Sequence, residues 1–121
     1  MIIPIVKENW LESWKESNLY DQLEWGNNFS NPGYTYAYQN RFHAIVGMVK
    51  SCLKPGSTIL DIAAAQGNFS LYLAEKGYRV IWNDLRAELQ GYVELKHENG
   101  DITYKPGNAF ELEGLELVDA V

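Results

Sequence analysis

The chain has 121 residues, 46% hydrophobic and 13% aromatic, which suits one small globular domain and excludes a disordered segment. Its formal charge of −6, with the 10 Lys and Arg residues scattered, argues against nucleic acid as the main partner. Cys52 is the single cysteine, so there is no intrachain disulfide or cysteine metal cluster, and His43 and His97 lack ligand spacing; no metal site is expected.

The opening "MIIPIV" is too short for a signal-peptide core, and no stretch approaches membrane-spanning length. A cytoplasmic setting without a membrane partner is the expectation. In "ENWLESWKESNL", Trp10, Leu11 and Trp14 fall at helical spacing and predict a short amphipathic helix. "WGNNFSNPGY" collects turn formers and reads as a loop. Tyr38, Phe42, Ile45, Val46, Val49, Cys52 and Leu53 then recur at three- and four-residue steps. They predict a helix from about Tyr36 to Leu53, with Cys52 a buried thiol and Arg41, His43 and Lys50 off the apolar stripe. "KPGS" ends it.

From there the pattern alternates. "TILDI" predicts a buried strand, and "GNFSLYLAEKG" a helix with Gly77 at its C-cap. "YRVIWND" is a second strand, and "LRAELQGYVELKH" a helix weakened by Gly91. "NGDITYK" is a third strand, "PGNAFEL" a loop, and "LELVDAV" the beginning of a fourth strand. A hairpin joining "YVELKH" to "DITYKP" across "ENG" is the alternative. The expected organisation is an N-terminal helix and aromatic loop over residues 1–35, then an α/β unit over residues 36–121. That unit is an incomplete parallel sheet of about three to four strands with right-handed crossovers.

Ligands of such sheets bind at the carboxyl ends of the strands, so the residues there carry the functional reading. After the first strand come Asp61, the small residues Ala63, Ala64 and Ala65, and Gly67, which can adopt positive φ and open a helix whose free N–H groups favour an anion. Asp61 suits the turn's amides or a ligand ammonium. After the second strand, Asp84 is positioned to accept both hydroxyl hydrogens of a ribose. After the third, the Asn108 carboxamide and the Ala109 N–H suit an adenine edge, with Leu85 and Phe110 against its faces. Each residue also has an ordinary reading: Asp61 as a turn cap, Asp84 as a helix N-cap, Asn108 as a turn residue. Their coincidence at three strand ends supports a nucleoside.

With those residues in hand, the chain resembles the N-terminal, cofactor-binding half of a class I S-adenosylmethionine-dependent methyltransferase, a Rossmann-like fold. The family's Asp/Glu-x-Gly-x-Gly-x-Gly motif falls on "DIAAAQG", with Asp61 and Gly67 retained and Ala63 and Ala65 replacing glycines. The ribose-binding acid falls on Asp84, the adenine-side residue on Asn108 in "GNAF", and a fourth-motif acid on Asp119 at the end of the last strand or just inside it. A methyl on those alanines is expected to cost little where φ is negative. A dinucleotide turn matches less well, because its glycines are mostly missing.

The resemblance implies S-adenosylmethionine as cofactor and in-line methyl transfer to an unidentified acceptor. Tyr34, Tyr36 and Arg41 in "NPGYTYAYQNRF" are candidates for a lid or a carboxylate contact. It also implies a strand order of third, second, first, with the apolar edge "STILDI" open to pairing or self-association. A fragment of a longer methyltransferase, a split half completed by a partner, and a self-associating small domain all fit; the ending "LVDAV" favours the first. A non-catalytic interaction module is the alternative function.

Overall fold

The computed structural model describes residues 1–26 and 30–121. Part of the expected aromatic loop, residues 27–29, lies outside the described residues. Helices α1 (Glu12–Glu24) and α2 (Pro32–Cys52) precede the sheet. Strands β1 (Thr58–Ile62), β2 (Arg79–Asn83) and β3 (Asp101–Tyr104) alternate with helices α3 (Asn68–Glu75) and α4 (Leu89–Lys96). The strands pair in parallel in the order β1-β2-β3, with Ile59 opposite Val80 and Val80 opposite Ile102. The hairpin alternative is therefore excluded, because "YVELK" is helical and β3 runs parallel to β2. On the other edge of β1, Ala120 pairs in parallel with Ile59, and the Leu60 N–H donates to the Ala120 carbonyl at 2.9 Å. The expected fourth strand thus begins as a single bridge.

The core follows the strand alternation. Ile59 and Val80 turn toward Leu73, Ala74 and Tyr78, while Trp82 packs with Leu71, Leu89 and Val93. Tyr38, Phe42 and Val46 of α2 form a third cluster against Phe69 and Tyr72. Burying each such side chain stabilises the fold by roughly 1.5–3 kcal/mol.

Three helices depart from expectation. α2 starts a turn before Tyr36, because Asn31 Oδ1 accepts the Tyr34 N–H at 3.1 Å and Pro32 occupies the first helical position. Cys52 is exposed rather than buried. The buried stripe runs through 38, 42 and 46 and on to partly buried Val49 and Leu53, and position 52 turns away from it. α4 is shorter than "LRAELQGYVELKH", beginning only at Leu89. Its Gly91 is explained by close approach: a Cβ there would lie 2.6 Å from Trp14 Cζ2, and the Trp14 Nε1–H donates to the Glu88 carbonyl at 2.6 Å.

The largest departure is α1. Trp10 and Leu11 precede it, and its buried residues are Ser17, Asn18, Asp21 and Glu24. This polar face meets its counterpart from α3 and α4. Lys96 Nζ lies 2.7 Å from Asp21 Oδ2 and 2.7 Å from Asn68 Oδ1. The Tyr92 hydroxyl donates to Asp21 Oδ2 at 2.7 Å, and Asn68 Nδ2 donates to Asp21 Oδ1 at 2.8 Å. A satisfied network of this kind joins three helices beside the β1–α3 turn.

Candidate functional site

Parallel pairing brings the carboxyl ends of β1, β2 and β3 to one edge, and the turn after β1 is its centre. Ala63 and Ala65 have φ of 54° and 47°, and Gly67 has φ of 73°. This corrects the expectation of negative φ at the alanines: the turn keeps a left-handed path with methyl groups on it. The left-handed region costs an L-residue about 1–2 kcal/mol. The cost is sustained by β2. The Ala65 N–H donates to Asp84 Oδ2 at 2.8 Å, Trp82 Nε1 donates to the Ala65 carbonyl at 3.2 Å, and the Ala64 N–H donates to the Asn83 carbonyl at 2.9 Å. Ala63→Gly and Ala65→Gly are each expected to stabilise the protein by about 0.5–1 kcal/mol after glycine's entropic cost, read as a raised urea midpoint.

The Asp61 and Asp84 carboxyls are shifted in opposite directions. Burial pushes the Asp61 carboxyl above its usual range, the Asp84 charge adds to this, and hydrogen bonds from Ser70 oppose it. The Ser70 hydroxyl donates to Asp61 Oδ2 at 2.6 Å. Asp84 is only 4% exposed, and burial alone would raise it. The Arg86 N–H and guanidinium and the Ala65 N–H outweigh burial and hold Asp84 below the usual carboxylate range. Arg86 donates to Asp84 Oδ1 from its backbone at 2.9 Å and from Nε at 3.2 Å. One oxygen of Asp84 thus pins the turn while the other carries Arg86.

The end of β3 is tied to the same place. The Gly107 N–H donates to the Asp84 carbonyl at 2.9 Å, and Asn83 Nδ2 donates to the carbonyls of Lys105 and Gly107 at 2.7 and 3.0 Å. Asn108 Oδ1 accepts the Phe110 N–H at 3.0 Å and opens a 3₁₀ turn over Ala109–Glu111. Leu85 and Phe110 are 76% and 97% exposed, which leaves two apolar side chains bare at this edge. Asp61, Ala63, Ala65, Gly67, Asp84, Leu85, Asn108 and Ala109 all follow or end the three strands on this side. Asp119 does not. Its N–H donates to the Thr58 carbonyl and its Oδ2 accepts the Thr58 N–H at 2.7 Å, so it sits at the amino end of β1. The parallel register that sets Ala120 opposite Ile59 requires this.

Above the turn lies a cavity of about 240 Å³ between Ala63–Gln66, Tyr38 and Arg41 of α2, and Glu24 of α1. The Arg41 guanidinium stands over the Tyr38 ring, 5.6 Å from its centroid. Tyr34 does not line the cavity; its hydroxyl donates to Glu24 Oε1 at 3.0 Å, and Tyr36 is exposed. Glu24 is 3% exposed, and burial pushes its carboxyl above the usual range despite hydrogen bonds from neutral donors. Sequence reasoning passed over Glu24, Gln66, Trp82 and Asn83. The only signal for Glu24 was the one-turn spacing of Ser17, Asp21 and Glu24, which a solvated helix face would also show.

No protein-family model matches the sequence. A tRNA (guanine(37)-N(1))-methyltransferase of Leishmania major is 29% identical over 72 residues, 57% of this chain and 10% of that protein. Coclaurine N-methyltransferase bound to N-methylheliamine and S-adenosylhomocysteine superposes with a TM-score of 0.54 at 20% identity, covering 68% of this chain and 26% of that one. Magnesium protoporphyrin IX methyltransferase from Synechocystis PCC 6803 with bound S-adenosylmethionine superposes with a TM-score of 0.52 at 16% identity, covering 83% of this chain and 57% of that one. The chain thus spans about a tenth of the curated relative and between 26% and 57% of these two structures. Among the described residues no helix is long and apolar enough to cross a membrane. The chain has a class I S-adenosylmethionine-dependent methyltransferase-like fold.

Proposed function

We propose that this chain is the cofactor-binding part of an S-adenosylmethionine-dependent methyltransferase, with residues 36–121 holding the cofactor and residues 1–35 helping to cover it. One observation carries the reading: a left-handed turn of small residues, hydrogen-bonded to an acid at the next strand end, floors a cavity that contains both an arginine and a carboxylate. Those residues fit the cofactor's parts. The turn of Ala63, Ala65 and Gly67 leaves the backbone open to the amino-acid portion, and Arg41 faces its carboxylate. Asp84 accepts from the ribose hydroxyls through the lone-pair capacity its present donors leave. Leu85 and Phe110 flank the adenine, whose edge the Ala109 N–H and the Asn108 side chain read. Asp61 acts at one remove, holding Ser70 in the first turn of α3.

When bound, the cofactor supplies an electrophilic sulfonium methyl. The chain's contribution is to hold the donor in a fixed pose, which is where most of the rate gain of such a transfer originates. The methyl acceptor is unidentified.

Isothermal titration with S-adenosylhomocysteine tests the reading. Micromolar binding is expected, weakened about tenfold or more in Asp84→Asn, which retains an acceptor for the Ala65 N–H but loses the charged one for ribose. A folded protein giving no heat up to millimolar ligand would refute it.

A further inference from the structure

We infer that Glu24 of α1, and not the strand-end acid Asp61, receives the ammonium group of a zwitterionic amino-acid tail in the cavity above the turn, opposite Arg41. This rests on the cofactor reading above and specifies how its amino-acid end is recognised.

The two acids differ in what they face. Asp61 borders a separate, mainly apolar cavity with Ile45, Val49 and Ala120, and Ser70 donates to its Oδ2 at 2.6 Å. Glu24 borders the cavity over the turn itself. Neutral groups hydrogen-bond to it: Tyr34 at 3.0 Å, Gln66 and Asn68 at 3.3 Å each, and the Tyr38 hydroxyl. The two 3.3 Å bonds are long for N–H···O, so the carboxylate holds capacity for a shorter, charged donor. The buried Lys96 ammonium feels the Glu24 charge, but its hydrogen bonds go to Asp21 and Asn68 at 2.7 Å each.

A buried carboxylate whose hydrogen bonds come from neutral donors is costly to the protein, and a cation entering the cavity offsets that cost. Arg41, on α2 across the same cavity, supplies the opposite charge. A site with one carboxylate and one guanidinium matches the two ends of an α-amino acid. Its volume of about 240 Å³ accommodates such a tail, given that a water molecule takes about 30 Å³.

The test compares two nucleosides that share adenosine and sulfur but differ in the tail. S-adenosylhomocysteine carries the ammonium and carboxylate; 5′-methylthioadenosine carries neither. In Glu24→Gln, affinity for S-adenosylhomocysteine is expected to fall at least about tenfold while affinity for 5′-methylthioadenosine stays within about twofold. If Glu24→Gln does not fold, Glu24→Asp, which withdraws the charge by one methylene, is put through the same comparison with the same expected selectivity. Unchanged affinity for S-adenosylhomocysteine, or an equal loss for both ligands, overturns the assignment and leaves the cofactor reading intact. Failure of the wild-type protein to bind either nucleoside overturns both.

Discussion

Replacing Lys96 by methionine is expected to destabilise the protein by about 3–5 kcal/mol, a large part of the roughly 5–15 kcal/mol available to a domain of this size. The side chain is fully buried, and its ammonium touches Asp21 and Asn68 at 2.7 Å each. Burial pulls the ammonium below its ordinary pKa, and the Asp21 charge only partly restores it. Methionine fills similar volume but leaves the Asp21 carboxylate, 1% exposed, with hydrogen bonds from Tyr92 and Asn68 and no counter-charge. The cost is thus an uncompensated buried charge rather than a cavity. Two readouts separate these causes. The urea midpoint falls at constant m-value, and adding Asp21→Asn to Lys96→Met recovers part of the loss, because position 21 then no longer buries a charge that has lost its partner. A single variant as stable as the wild type would mean that α1 does not dock through this network.

Gly67→Ala is expected to cost about 2–4 kcal/mol and to weaken nucleoside binding. Left-handed backbone is not the whole reason, since Ala63 and Ala65 tolerate it nearby. Space decides. A Cβ at Gly67 would come within 2.7 Å of Val93 Cγ1 and 3.0 Å of Val93 Cγ2, and Val93 is fully buried beside Trp82. The methyl would therefore push α3 off α4 and move the helix start that closes the turn. This contrast accounts for which glycine remained: one against the core, and none where the turn borders the cavity. A Gly67→Ala protein with wild-type stability and wild-type affinity for S-adenosylhomocysteine would contradict it.

Much of the architecture was legible in the sequence because it rests on apolar runs. "TILDI" and "YRVIWN", separated by a helix-length amphipathic segment, can bury their surfaces only as parallel strands joined by a crossover, and Asp61 and Asp84 then fall at the same edge. What stayed hidden depends on contacts that periodicity does not encode. Nothing in three successive alanines reveals that two of them are left-handed, since that follows from hydrogen bonds contributed by Trp82 and Asp84. The inward face of α1 carried no apolar signal because its residues are polar; Lys96 and Asn68, far off in the chain, make it a buried face. Asp84 was legible as an acid at a strand end, but not the Arg86 guanidinium lying on it. The Asp119 assignment failed because register, not composition, decides which end of a strand a residue occupies.

Amide chemical-shift mapping with S-adenosylhomocysteine tests the central claim most directly, since it reports where a nucleoside sits as well as whether it binds. Saturable shifts are predicted for the backbone of residues 61–67, 84–86 and 107–110, with the α4 surface near Leu95 and the Trp10 turn unchanged. A folded protein whose spectrum does not respond, or whose responses cluster away from the three strand ends, would contradict the account.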